Sequence, residues 1–150
     1  MLNVGHPAPD FSLPSSEGKE VSLKNLRGKK IVLYFYPKDD TPGCTKEACS
    51  FSENLVRMRK KGALVFGVSA DTVKAHKRFI EKYNLMFPLL SDETKKVIHA
   101  YGVWKEKKFL GRTYMGIERT TFIIDENGIV SHIFPKVKID GHTDDVLSSL

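Results

Sequence analysis

Cysteine is scarce in this chain: 150 residues carry only two, Cys44 and Cys49. No apolar run approaches the roughly 20 residues that a membrane-spanning helix needs, so no membrane role is expected. The opening Met1-Leu-Asn-Val-Gly-His-Pro7 lacks the charged-then-apolar pattern of a secretory leader, and a cytoplasmic location is the expectation. Reducing surroundings make two close cysteines better suited to catalysis or redox sensing than to a structural staple. Internal repeats, low-complexity tracts and linkers rich in Gly, Ser or Pro are also missing. One domain over residues 1–150 follows, and that length is enough for a packed core.

What is present is ordinary in bulk. Hydrophobic residues make up 41% and charged residues 28%, as in a globular protein. The net charge is +6. The lysines are scattered, with short runs at Arg57–Lys61 and Lys105–Lys108, and acidic residues lie among them. That pattern describes a solvated surface and not a nucleic-acid site.

Along the chain, apolar periodicity alternates between strand and helix. Gly5–Pro14 reads as extended, because its prolines disfavour helix. Ser15–Gly18 is a turn, after which Val21–Leu23 pairs back as a short strand. Ile31–Tyr36 is an apolar strand. A helix is expected from about Thr41 to Lys61, with Cys44, Ala48, Phe51, Leu55 and Met58 on its core face and Gly62 as its stop. Ala63–Ser69 is a buried strand. A second helix, capped by Asp71 or Thr72, runs to Tyr83 with Val73, His76 or Lys77, Ile80 and Tyr83 near one face. Phe87–Leu90 is a short strand or link, and Ser91 or Asp92 caps a third helix ending near Gly102. Val103–Glu118 reads as a long loop. Thr120–Asp125 and Ile129–Phe134 flank Asn127-Gly128, a hairpin signal. A short helix from Thr143 closes the chain. This alternation is α/β. The β-α-β half followed by a β-β-α half matches a thioredoxin-like fold: a central mixed sheet flanked by helices, with an N-terminal extended or hairpin segment.

The chemistry concentrates in Pro37-Lys-Asp-Asp-Thr41-Pro42-Gly43-Cys44-Thr45-Lys46-Glu47-Ala48-Cys49. This run leaves a strand and opens a helix, where α/β proteins hold reactive groups. Thr41 suits the N-cap, and Pro42 the first helical position, where its missing N–H costs nothing. Cys44 then falls in the first turn, where free N–H groups and the helix dipole stabilise a thiolate. A buried core cysteine is the competing reading, weakened by the Thr-Pro-Gly lead-in and the nearby second thiol.

Cys49 lies five residues on. In a regular helix that spacing separates the Cα atoms by roughly 8.6 Å. A disulfide needs about 4.4–6.8 Å. Either the two never bond, or the first turns unwind so that they can. The spacing is not the Cys-x-x-Cys of a disulfide reductase, and it suits zinc poorly. The five histidines show no ligand spacing, so each reads as a surface or satisfied core residue. Arg119 precedes the strand Thr120–Asp125 and by spacing alone is an ordinary strand-end arginine. Should the sheet bring that end to the helix start, it would stabilise a thiolate and orient an oxygen-bearing substrate. Glu47, one turn after Cys44, would then hold the guanidinium; otherwise it is a favourable first-turn acid.

The run Pro37-x-x-x-Thr41-x-x-Cys44 resembles the active-site motif of peroxiredoxins. The second cysteine five residues later narrows the resemblance to the bacterioferritin-comigratory, or Q-type, subfamily. Tyr101–Trp104, Gly111–Gly116 and Arg119–Asp125 are similar to that subfamily as well. The resemblance implies a thiol peroxidase for hydrogen peroxide and organic hydroperoxides. Cys44 would be the peroxidatic cysteine, oxidised to a sulfenic acid. Pro37 would shield the pocket. Thr41 would hydrogen-bond the thiolate and the peroxide, and Arg119 would stabilise the thiolate. Cys49 would condense with the sulfenic acid into an intramolecular disulfide, recycled by thioredoxin or a similar dithiol. No metal, haem or flavin cofactor is implied, and a monomer is expected. The rivals are a thioredoxin-like thiol–disulfide oxidoreductase and a redox sensor.

Overall fold

The computed structural model describes residues 2–150. Its centre is β3 (Lys30–Phe35), which is apolar from Ile31 onward because both its faces are covered. Alternate side chains serve two cores: Ile31, Leu33 and Phe35 on one side, Val32 and Tyr34 on the other. β4 (Ala63–Ser69) pairs parallel with β3, and β5 (Leu89–Ser91) pairs parallel with β4. On the other flank β8 (Thr120–Ile124) runs antiparallel to β3, and β9 (Val130–Phe134) antiparallel to β8. The sheet is therefore mixed, in the order β5-β4-β3-β8-β9. A small hairpin of β1 (Ser12–Pro14) and β2 (Glu20–Ser22) precedes it, as the sequence indicated.

Helices cover both faces. On one side lie α1 (Pro42–Glu53), α2 (Leu55–Lys60), α3 (Val73–Tyr83) and α5 (His142–Ser148), through Ala48, Phe51, Met58, Phe79 and Val146. The N-terminal hairpin and α4 (Lys96–Ala100) cover the other, through Leu13, Ile98 and Tyr101.

Three expectations need correction. The helix expected from Thr41 to Lys61 breaks at Asn54. The Asn54 side chain donates to the Ser50 carbonyl at 2.8 Å and so competes with the helical ladder. The third helix starts at Lys96, not directly after Asp92, although the Asp92 carboxylate does accept from the Ile98 N–H at 2.8 Å. The largest correction concerns Val103–Glu118. It is no loop but a ribbon of β6 (Trp104–Phe109) and β7 (Arg112–Ile117), paired from Trp104↔Ile117 to Phe109↔Arg112. Its turn residues Leu110 and Gly111 have φ of 50° and 75°, the two positive values of a type I′ hairpin. The ribbon lacks apolar alternation because most of its side chains face solvent.

Candidate active site

Strand β3 ends at Phe35, and the chain turns through Pro37–Thr41 into α1. Thr41 has extended backbone at the N-cap and Pro42 is the first helical residue. The Thr41 hydroxyl does not bond the helix; it donates to the Lys38 carbonyl at 2.9 Å. Its hydrogen is therefore committed, and its lone pairs remain as acceptors. Cys44 is 1% exposed and packs with Tyr34, Ala48 and Phe51.

Antiparallel pairing of β8 with β3 carries Arg119, just before β8, to the start of α1. Its guanidinium forks. Nη2 donates to Cys44 Sγ at 3.2 Å, and Nη1 donates to Glu47 Oε1 at 2.6 Å. Glu47 is 2% exposed, so burial pushes its carboxyl up to about 7, although Arg119 pulls the other way. Burial opposes the Arg119 charge, but Glu47 and Cys44 more than offset that and push its pKa up. A Cβ on Gly43 would sit 3.3 Å from Arg119 Nη2 and 3.4 Å from Ile139, so the bare glycine leaves the guanidinium its path to the sulfur.

The ribbon β6–β7 overhangs this corner. Pro37 lines a cavity of about 320 Å³ with Ala70, Trp104, Lys107, Tyr114 and Ile117. Burial and then Arg119 lower the Lys107 pKa, partly countered by Cys44 and Glu118. Cys49 is half-buried on α1, and burial, with Glu53 beside it, raises its thiol pKa. Both cysteines are free.

The structure thus brings together Cys44, Glu47 and Arg119, and holds Thr41 and Pro37 in the adjoining loop. Sequence reasoning passed over Lys107, hidden in a segment read as loop, and Ile139. It also passed over a buried cluster under the loop, Asp39, Asp71 and His76, whose ligand-type atoms lie within 4.8 Å of one another. Asp39 Oδ2 and His76 Nδ1 are 2.7 Å apart in a direct hydrogen bond, while Asp71 Oδ2 accepts from Asp39 N–H and Ser69 Oγ. Within the cluster only Asp39 Oδ2 and His76 Nδ1 pair directly; Asp71 Oδ2 is engaged by a backbone amide and a hydroxyl. The paired aspartates of the motif, Asp39 and Asp40, were the available signal.

Comparison with known proteins agrees with this geometry. The AhpC/TSA family matches residues 4–133. A putative peroxiredoxin bcp of Coxiella burnetii is 54% identical, with 99% of each chain covered. Peroxiredoxin Bcp of Escherichia coli is 45% identical over 99% of this chain and 96% of its own. Among solved structures, the bacterioferritin comigratory protein of Xanthomonas campestris superposes with a TM-score of 0.91 at 40% identity, covering 98% of this chain and 96% of that one. A cysteine-to-serine mutant of PrxQ from Xylella fastidiosa gives 0.93 at 35% identity, covering 99% and 94%. With a thioredoxin-like mixed sheet, a first-turn cysteine under an arginine, and relatives matched along their whole length, this chain belongs to the AhpC/TSA family and, within it, to the Bcp/Q-type peroxiredoxins.

Proposed function

We propose that the chain reduces hydrogen peroxide and organic hydroperoxides, with Cys44 as the peroxidatic and Cys49 as the resolving cysteine. One observation carries the reading: a single guanidinium donates both to Cys44 Sγ and to a buried carboxylate that fixes it. A charged donor on the sulfur and the first-turn N–H groups both favour negative charge there. The thiolate attacks the terminal peroxide oxygen. An S–O bond forms, the O–O bond breaks, and the leaving hydroxide or alkoxide takes up a proton. Arg119 stabilises the charge that moves onto oxygen, Glu47 holds Arg119, and the acceptor lone pairs of Thr41 orient the peroxide O–H. Pro37 keeps water from the sulfur.

The Cys49 thiolate then attacks the sulfenic acid. An S–S bond forms, the S–O bond breaks, and the departing hydroxide takes up the proton that the Cys49 thiol released, leaving as water. Because α1 runs unbroken from Pro42 to Glu53, regular helix holds the two Cα atoms about 8.6 Å apart, beyond disulfide reach. The turns between them therefore open. Thioredoxin or a similar dithiol reduces the disulfide by exchange.

We read the enzyme as a cytoplasmic monomer with one domain over 1–150, without nucleic-acid or membrane partners. Among the described residues no helix is long and apolar enough to cross a membrane. The test is peroxide-dependent NADPH oxidation coupled through thioredoxin and its reductase. Turnover is expected with the native chain. Insulin reduction without peroxide turnover would instead identify a disulfide oxidoreductase, and a single equivalent of peroxide consumed despite reductant would identify a sensor.

A further inference from the structure

The loop Pro37–Thr41 carries two of the proposed site residues, yet its side-chain fastenings run to α3 and to the ends of the parallel strands. Asp39 faces inward. Its carboxylate accepts from the Tyr36 hydroxyl at 2.5 Å and meets His76 Nδ1 at 2.7 Å. Its backbone N–H donates to Asp71 Oδ2 at 2.9 Å. His76, on α3, is completely buried, and its Nε2 meets the Leu90 carbonyl at 3.0 Å. A carbonyl only accepts, so Nε2 carries a hydrogen. Nδ1 is thereby left to pair with Asp39 Oδ2.

Asp40 faces outward. A φ of 56° turns its carboxylate to the end of α3, where the Lys82 ammonium donates at 2.8 Å and the Tyr83 hydroxyl at 2.5 Å. The Thr41 hydroxyl closes the loop on Lys38. None of these partners lies on α1.

We infer that His76 and Asp39 are positioning residues for the peroxide reaction, fixing Pro37–Thr41 on α3 so that the loop keeps its place while the turn bearing Cys44 opens and recloses. This rests on the reading of Cys44 as peroxidatic. The physical reason is nucleation. Each reduction must rebuild the first turn of α1, and the first turn is the costly one. A capping residue already held in extended conformation at Thr41, followed by Pro42 with its preset φ, gives that turn a fixed start. Neither Asp39 nor His76 touches the sulfur, so their effect passes entirely through the loop.

The Asp39 amide, bonded to Asp71, is a direct probe. Residue-resolved hydrogen exchange is measured on the dithiol and on the disulfide form, the latter prepared with diamide so that it does not depend on peroxide chemistry. In the native chain the Asp39 amide should stay equally protected in both forms, while Thr45–Cys49 lose protection on oxidation. Loss of protection at Asp39 together with Thr45–Cys49 would overturn the inference, and this arm needs no variant to fold. His76→Leu should expose the Asp39 amide already in the dithiol form and slow sulfenic acid formation about a hundredfold, the cost of a misplaced site. His76→Asn, which keeps a donor near the Nδ1 position, should recover most of that rate. A His76→Leu protein that forms sulfenic acid at the native rate would also overturn it. If the native chain forms no sulfenic acid at all, the peroxidase reading fails instead, and the diamide arm still decides whether the loop is fixed.

Discussion

Cys44 and Cys49 share helix α1, but their surroundings differ in sign and in access. Cys44 is buried against the core with a guanidinium on its sulfur. Cys49 is half-buried, and burial and the neighbouring Glu53 carboxylate hold its thiol pKa up. A cation stands on the first sulfur, and an anion stands beside the second. On the proposed reading, that contrast divides attack and resolution between two thiols a turn and a half apart.

The comparison breaks most sharply on exchange of each sulfur for oxygen. Cys44→Ser should abolish peroxide turnover, because a hydroxyl stays protonated at neutral pH. Cys49→Ser should consume the first equivalent of peroxide at the native rate and then stop at sulfenic acid or over-oxidise. Mass spectrometry after one equivalent separates the two, and equal behaviour of the variants would erase the division of roles.

Arg119→Ala removes the cation from the first cysteine only. Sulfenic acid formation should slow about 10²–10³-fold, the usual cost of losing a preorganised donor, with the thermal midpoint much less affected. An unchanged rate would return Arg119 to an ordinary strand-end residue.

Glu47 sharpens the same contrast through pH. The folded protein binds the Glu47 proton more tightly than the unfolded chain, with the pKa moved from 4.5 to about 7. Between those values rising pH therefore costs stability, by up to about 3 kcal/mol. Glu47→Gln lacks this proton, so its stability relative to the native chain should rise from pH 4.5 to 7 and level off above. Parallel urea midpoints across that window would show that Glu47 does not titrate there.

The smallest effect belongs to the second cysteine. Glu53→Gln removes the neighbouring charge that adds to burial in raising Cys49's pKa. An exposed charge interaction of ~0.4 kcal/mol corresponds to about a twofold faster disulfide step at neutral pH. Stopped-flow measurement of that step after sulfenic acid has formed would detect it, and a slower step would contradict the assignment of Glu53.

Much of this was legible in the sequence because burial writes itself into periodicity. Strand β3 from Ile31 and β4 up to Val68 are apolar, being covered on both faces, and Asn127-Gly128 declares the β8–β9 hairpin. The Cys44, Ala48, Phe51, Leu55, Met58 stripe is buried as expected, even though Asn54 interrupts the helix beneath it. On α3 the buried pair is His76 and Phe79, so the face was only partly read: Phe79 was missed, and Ile80 and Tyr83 lie at its margin. The ribbon β6–β7 was illegible because strands without a buried face carry no alternation. The Arg119–Cys44 contact was conditional on the sheet, since 75 residues separate the two in the chain. The Asp39–His76 pair was hidden for the same reason: buried polar partners are chosen by tertiary proximity and leave no period.

The ribbon has one more consequence, for tolerance to insertion. Its ladder is closed on itself, forming a sheet separate from the central one, and its tip at Leu110 is 87% exposed. Extra residues spliced between Phe109 and Arg112 would lengthen an overhang and leave every pairing of the central sheet in register. One extra residue inside β8 would turn Phe122 and Ile123 each to the opposite face. A lineage could therefore reshape the roof over Cys44 freely while the floor beneath it stays frozen.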